Sequence, residues 1–258
     1  MHTYDDSRAT EECGMFHLPN ERRDVKSDTP SSWRDALAVP EYLERAYWWA
    51  YLHPRAVYLF ERRWLVNLIL LGNFSRLRDA ALDALGVRLD GRTLQIACVY
   101  GDLTNRLIER LAPDAGLDVV DILPIQLENL ARKLPRDSGV GLYHGDSAAL
   151  PFETASYDRA LLFFLLHEQP DEVRRDTVAE ALRVVKPGGR IVIVDYHRPH
   201  RFSPLHLPMT VILSVLEPYA LDLWRHDITE WFPANGRFVD IRKRTMFGGL
   251  YQLLTFAL

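Results

Sequence analysis

An apolar run at residues 94–99 meets a turn at Gly101, and a helical pattern begins at once with Leu103-Thr104-Asn105-Arg106-Leu107-Ile108. Strand, tight turn and helix form the unit from which parallel sheets are wound, and nucleotide-type ligands sit at the sheet edge where such turns lie. Twenty residues past Gly101, the run Leu117-Asp118-Val119-Val120-Asp121 ends on an acid, at the position from which a carboxylate hydrogen-bonds the hydroxyls of a ribose. The turn itself is bulky. Gly101 alone remains of the glycines that let a backbone approach its ligand. Ala97 and Val99 stand where two more are expected, with Tyr100 beside them.

Strand and helix patterns continue to alternate. A helix is expected at 124–134, a short strand at 140–144 leading to Gly145-Asp146-Ser147, and a near-continuous apolar strand at 157–166, as when both faces are covered. A helix at 170–185 stops at Lys186-Pro187-Gly188-Gly189 and is followed by a strand at 190–195. Residues 238–245 and 250–256 flank Gly248-Gly249 as a closing hairpin. The expected fold is α/β: one Rossmann-like domain over 39–258 with a mostly parallel seven-stranded sheet and an antiparallel C-terminal hairpin. Residues 1–38 read as a mobile tail, 39–88 as an N-terminal helical lid rich in aromatics, and 198–235 as an insertion.

A chain of 258 residues with 48% hydrophobic content has ample material for a core. A net charge of −4 without a basic stripe argues against a nucleic-acid partner. Cys13 and Cys98 form no disulfide framework, so a reducing cytoplasm fits. The start of the chain is polar and acidic, unlike an export signal, and no apolar run approaches the ~18 residues that span a bilayer.

Residues 145–152, Tyr157-Asp158-Arg159 and 183–190, taken with the turn and Asp121, resemble class I S-adenosylmethionine (SAM)-dependent methyltransferases, above all those acting on quinone rings. The resemblance implies that Asp121 holds the ribose, that Asp146 contacts the adenine, and that Ala97, Val99, Tyr100, Gly101, Ile122 and Ser147 complete the SAM site. Gln95 replaces the acid common in that family. Segments 48–54, 95–104, 121–127, 163–170, 194–199 and 247–252 are similar to the bacterial rhodoquinone biosynthesis family, which departs from methyltransferases in this same loop. That resemblance implies exchange of a ring methoxy group of ubiquinone for an amino group, with SAM as amino donor and manganese(II) as a required metal.

The residues permit such chemistry. His167 and Glu168 close the fourth strand; Asp195 and His197 close the fifth and, two apart, point to one side. Imidazole plus carboxylate suits Mn(II) as a Lewis acid on a quinone carbonyl. The SAM amine must lose a proton before it can add to the ring, and His167 or His197 is the expected base, with Tyr100 orienting the amine. The plainer readings are structural: His167 as a hydrogen-bonder, Glu168 as a helix cap, Asp195 and His197 as loop-shaping residues. Trp48, Trp49, Phe163, Phe164 and Trp224 are the expected substrate wall. The isoprenoid tail of ubiquinone implies peripheral attachment to the inner membrane, through the helices of 42–71 or the insertion. Two other readings stand: a SAM-dependent methyltransferase acting on a quinone-like ring, and a non-catalytic adapter that binds quinone or a partner protein.

Overall fold

The computed structural model describes residues 38–47, 62–217, 219–234, 236 and 238–258. Trp48, Trp49 and nearly all of the expected tail lie outside the described residues. Seven strands form one sheet: β1 (Arg92–Ile96), β2 (Gly116–Asp121), β3 (Gly141–His144), β4 (Tyr157–Phe163), β5 (Val185–Tyr196), β6 (Val239–Met246) and β7 (Tyr251–Ala257). Their order is β3-β2-β1-β4-β5-β7-β6. The first five run parallel, and β7 is antiparallel to both β5 and β6. The chain leaves β1 toward β2 on one side, and β4 takes the other. Between β1 and β4 the winding therefore reverses, which opens a crevice beyond their carboxyl ends.

Five described helices of six residues or more border or connect the strands: α3 (Phe74–Leu85), α4 (Leu103–Ile108), α5 (Pro124–Lys133), α6 (Asp171–Val184) and α7 (His206–Leu216); α1 (Glu41–Tyr47) and α2 (Arg63–Ile69) precede them. The sequence reading assigned no separate helix to α3. Its apolar residues Phe74, Leu77, Ala81, Leu82 and Leu85 are all buried in the core beside Leu161, Phe163, Val192 and Val194. The region expected as a lid therefore ends in a core helix, because its spacing puts one full apolar stripe on the sheet.

Three other expectations need correction. Strand β1 stops at Ile96, since Ala97 takes a left-handed φ of 74°. Strand β4 stops at Phe163 rather than at residue 166: Phe164 has φ 55°, and Leu166–Glu168 form a single 3₁₀ turn. Strand β5 begins at Val185 and includes the Lys186-Pro187-Gly188-Gly189 segment, which is accommodated by a register shift opposite Tyr157 and Arg159. Edge strand β6 is exposed along almost its whole length and carries Arg242, Lys243 and Arg244, charges that deter edge-to-edge pairing.

Candidate functional site

The crevice is a cavity of about 620 Å³. Its floor is the crest of β1, β2 and β4, and its roof is made by α1, α2 and α7.

The β1–β2 side is polar and tied to backbone. Both oxygens of Asp121 accept backbone N–H groups, from Cys98 at 2.7 Å and from Leu123 at 2.8 Å. Burial pushes this carboxyl up to about 6, against those two hydrogen bonds. Ala97 and Val99 line the cavity, and so does Tyr100, whose hydroxyl accepts from Gln126 Nε2 at 2.7 Å. Gln95 lies underneath. Its amide donates to the Ala97 carbonyl at 2.9 Å and accepts from Thr104 Oγ1 at 2.9 Å, bracing the turn in its left-handed form. The backbone thus keeps a glycine-like conformation at Ala97, at a cost of order 1–2 kcal/mol for an L-residue. Gly101 is absent from the cavity lining. It has φ 86°, and a Cβ there would stand 2.9 Å from Phe74, so the residue must be glycine for α3 to pack so close. Lys133 Nζ reaches its carbonyl at 3.2 Å.

Ile122, Asp146 and Ser147 also line the cavity. Asp146 Oδ1 accepts from Ala148 N at 2.8 Å, shaping its own turn. The Ser147 hydroxyl is held by Gln169 Nε2 at 2.9 Å and by Thr177 at 3.0 Å, so it ties β3 to α6. Tyr42 on α1 closes this side. Burial and the carboxylates of Asp146 and Glu168 hold its phenol well above the ordinary range.

On the β4–β5 side, Phe163 and Phe164 line an apolar wall that ends at His167. The His167 ring is almost wholly buried and stands edge-on to Tyr196 at 4.9 Å and Phe164 at 5.8 Å. Its Nδ1 lies 2.9 Å from Asp195 Oδ1, while Asp195 Oδ2 accepts the His167 backbone N–H at 3.3 Å. Nε2 faces Glu168 Oε1 at 3.7 Å and Glu217 Oε2 at 4.0 Å. Burial alone pushes the imidazole down, but Asp195, then Glu217 and Glu168, outweigh it and raise the ring to about 9. The turn is anchored from behind by Arg174, which is fully buried, donates to the Leu166 carbonyl at 2.6 Å and to the Tyr219 carbonyl, and stacks over Trp231.

The expected metal set does not assemble. Asp195 is fully buried and engaged with His167 and with the Tyr196 N–H at 2.7 Å. His197 turns away from the cavity and its Nδ1 contacts the Gly249 carbonyl at 2.8 Å; burial holds its pKa below the usual value. Two residues of one strand point to one side only while the strand continues, and β5 ends at Tyr196. Among the described residues no cluster of three or more His, Cys, Asp or Glu side chains is arranged to hold a metal ion. Trp224, expected in the substrate wall, is buried in the insertion next to His206 and does not line the cavity.

Tyr42, Gln126, Gln169 and Glu217 line the cavity without having been singled out from sequence. Glu217 carried a signal, as the acid that directly follows the eleven uncharged or histidine residues of α7.

Residues 93–189 match the family described as "Methyltransferase domain". The demethylmenaquinone methyltransferase of Staphylococcus aureus is 31% identical over 135 residues, which is 52% of this chain and 55% of that protein. The chain thus spans about half the length of the curated relatives it matches. Among solved structures, an O-methyltransferase family protein from Burkholderia thailandensis superposes with TM-score 0.52 at 20% identity, over 75% of this chain and 58% of that one. Geranyl diphosphate C-methyltransferase from Streptomyces coelicolor, solved with Mg2+, geranyl diphosphate and S-adenosyl-L-homocysteine, gives 0.51 at 16% identity over 71% and 78%. The fold is the Rossmann-like methyltransferase fold, with the sheet order and antiparallel last pair described above.

Proposed function

We propose that this protein is a SAM-using transferase that acts on the ring of a lipophilic quinone, as in rhodoquinone biosynthesis. The SAM α-nitrogen bonds to a ring carbon of ubiquinone, and methoxide leaves and takes up the amine proton as methanol. Hydrolysis of the SAM Cα–N bond, with water supplying the hydroxyl to Cα and a proton to nitrogen, then frees the aminoquinone. The observation that carries the reading is the Asp195–His167 pair at the apolar end of the cavity. An imidazole raised to about 9 is protonated at neutral pH, so Nε2 is an acid, not the base expected from sequence. A quinone under nucleophilic attack develops negative charge on a carbonyl oxygen, and a preorganised cationic donor aimed at that oxygen stabilises it most when the charge appears.

SAM fits the β1–β2 side. Asp121, its orientation locked by two backbone N–H groups, faces a cavity large enough for a nucleoside and a ring together. When bound, SAM supplies the group to be transferred. The chain's own part is to hold the ribose at Asp121, cover the adenine with Ile122 and Tyr42, exclude water with Phe163 and Phe164, and keep a proton on His167 Nε2. Glu168 and Glu217, close to Nε2, are the remaining candidates for accepting a proton from the amine. Manganese has no donor set among the residues expected for it, and no step is assigned to it.

Methyl transfer to a quinone-type ring is the second reading, favoured by the likeness to a demethylmenaquinone methyltransferase. It needs a proton acceptor rather than a protonated imidazole at the ring. The deciding experiment is turnover of ubiquinone with SAM labelled by nitrogen-15 on its α-amine, with and without Mn(II) and with a chelator arm, read by mass spectrometry. A labelled aminoquinone is expected. A methylated ring with S-adenosylhomocysteine would replace the proposal by the second reading, and binding without turnover would leave only the adapter.

A further inference from the structure

The cavity opens through a surface that is itself apolar. On α7, Met209 and Leu213 point inward, while Leu207, Val211, Ile212, Val215 and Leu216 face solvent, with Leu207 73% and Val215 74% exposed. Helix α2 does the same: Val66 is buried, and Trp64, Leu68 and Ile69 are exposed. A helix bordered by water turns its polar side outward. These two present apolar side chains, and no Asp, Glu, Lys or Arg occurs in α7. Five of the residues, Leu68, Ile69, Leu71, Ile212 and Leu216, are exposed and also line the cavity. The patch is therefore the rim of the mouth, continuous with the interior.

Its edge is cationic. Arg198 and Arg201 are exposed just ahead of α7, with the Arg201 guanidinium 4.6 Å from the ring of Phe202, itself 85% exposed. Arg62 is exposed at the start of α2. In a chain of net charge −4 these positive groups reverse the prevailing sign next to the one large apolar face described here. Exposed leucine, valine and aromatic side chains on helices preceded by exposed arginines match the boundary between acyl chains and anionic headgroups. No described helix is long and apolar enough to cross a membrane, so the contact is with one leaflet.

We infer that the α2–α7 rim docks on an anionic lipid bilayer, so that the cavity mouth opens into the hydrocarbon. The purpose of this docking rests on the proposed quinone substrate: the ring enters the cavity while its tail stays in the membrane. The docking itself needs no turnover and is tested without it. The full chain is floated with vesicles of phosphatidylcholine alone and of phosphatidylcholine with phosphatidylglycerol, both free of quinone. The expected result is flotation with the anionic vesicles that weakens in salt. A Leu207→Glu/Val215→Glu variant, altered outside the cavity lining, should partition at least about tenfold less with an unchanged melting temperature. Quenching of Trp64 by brominated lipid, removed by Trp64→Phe, gives a second reading of the same contact. Three outcomes overturn the inference: no flotation with anionic vesicles, equal flotation of the double variant, or a concentration-dependent dimer that the double variant dissolves. Absence of flotation together with full turnover of a tail-less quinone would sink the docking alone and leave the proposed function intact.

Discussion

At the β1–β2 end of the cavity, the carboxylates and the turn are tied to the backbone. Asp121 is fixed by the N–H groups of Cys98 and Leu123, Asp146 by Ala148, and the Ala97 carbonyl by Gln95. At the β4–β5 end side chains are tied to one another: His167 to Asp195, with Glu168 and Glu217 facing the same ring nitrogen. Backbone-anchored groups cannot change their protonation partners without moving a strand. Side chains that hold each other form one titrating unit, whose charge is shared out by distance. The first arrangement suits a binding surface for a constant ligand. The second suits a place where charge changes during a reaction.

If the two ends are separate in role, mutations should separate them too. The largest effect is expected for His167→Gln, which should lower turnover by about 10²–10⁴-fold. Affinity for S-adenosylhomocysteine, measured by calorimetry, should stay within about threefold. Loss of both together would erase the distinction. Asp195→Asn sharpens it. With the carboxylate gone, burial acts on His167 with less opposition, and its titration, followed by NMR, should fall from about 9 toward or below its ordinary value.

The same pair predicts a pH dependence of stability. The folded value of His167 lies above the unfolded 6.5, so the folded protein holds the proton more tightly. Its contribution is complete below pH 6.5 and is lost as pH rises through about 9. Urea midpoints over that window should decline in the wild type and be flatter in Asp195→Asn. At the other end, Asp121→Asn removes one charged acceptor and should weaken S-adenosylhomocysteine by about 10–100-fold, consistent with ~1.5–3 kcal/mol for hydrogen bonds to a charged group. His167 should titrate unchanged. The smallest effect is expected at Ala97: glycine relieves the left-handed backbone but adds unfolded-state freedom, for a net gain of up to about 1 kcal/mol in denaturant unfolding.

Much of the β1–β2 end of the cavity was legible because it follows from local order. The turn at Gly101, the acid ending β2 and Asp146 after β3 are each set by one strand and the residues that follow it, and the sheet carries them to a common edge. The β4–β5 end was less legible. His167 and Asp195 are both legible as polar groups at strand ends, but their pairing across 28 residues, 2.9 Å apart and buried, is not. His197 was grouped with them by strand periodicity, yet β5 ends one residue earlier and the ring swings to Gly249. Trp224 looked like a flat wall for a ring and is packed inside the insertion. Helix α3 was readable from its stripe of Phe74, Leu77, Ala81 and Leu85, and was absorbed into the lid only because an aromatic segment precedes it.

Sequence alone determined the parallel sheet with its antiparallel finish and the turns that carry Gly101, Asp121 and Asp146, since periodicity and turn chemistry act over a few residues. Tertiary structure decided the protonation state of His167, the reach of Glu217 and Tyr42 into the cavity, and the apolar rim of its mouth. Those depend on burial and on charges brought together across 28 and 50 residues of chain, from Asp195 and from Glu217 to His167. Distance through space, which sets desolvation and Coulomb energy, is not a property of any local stretch.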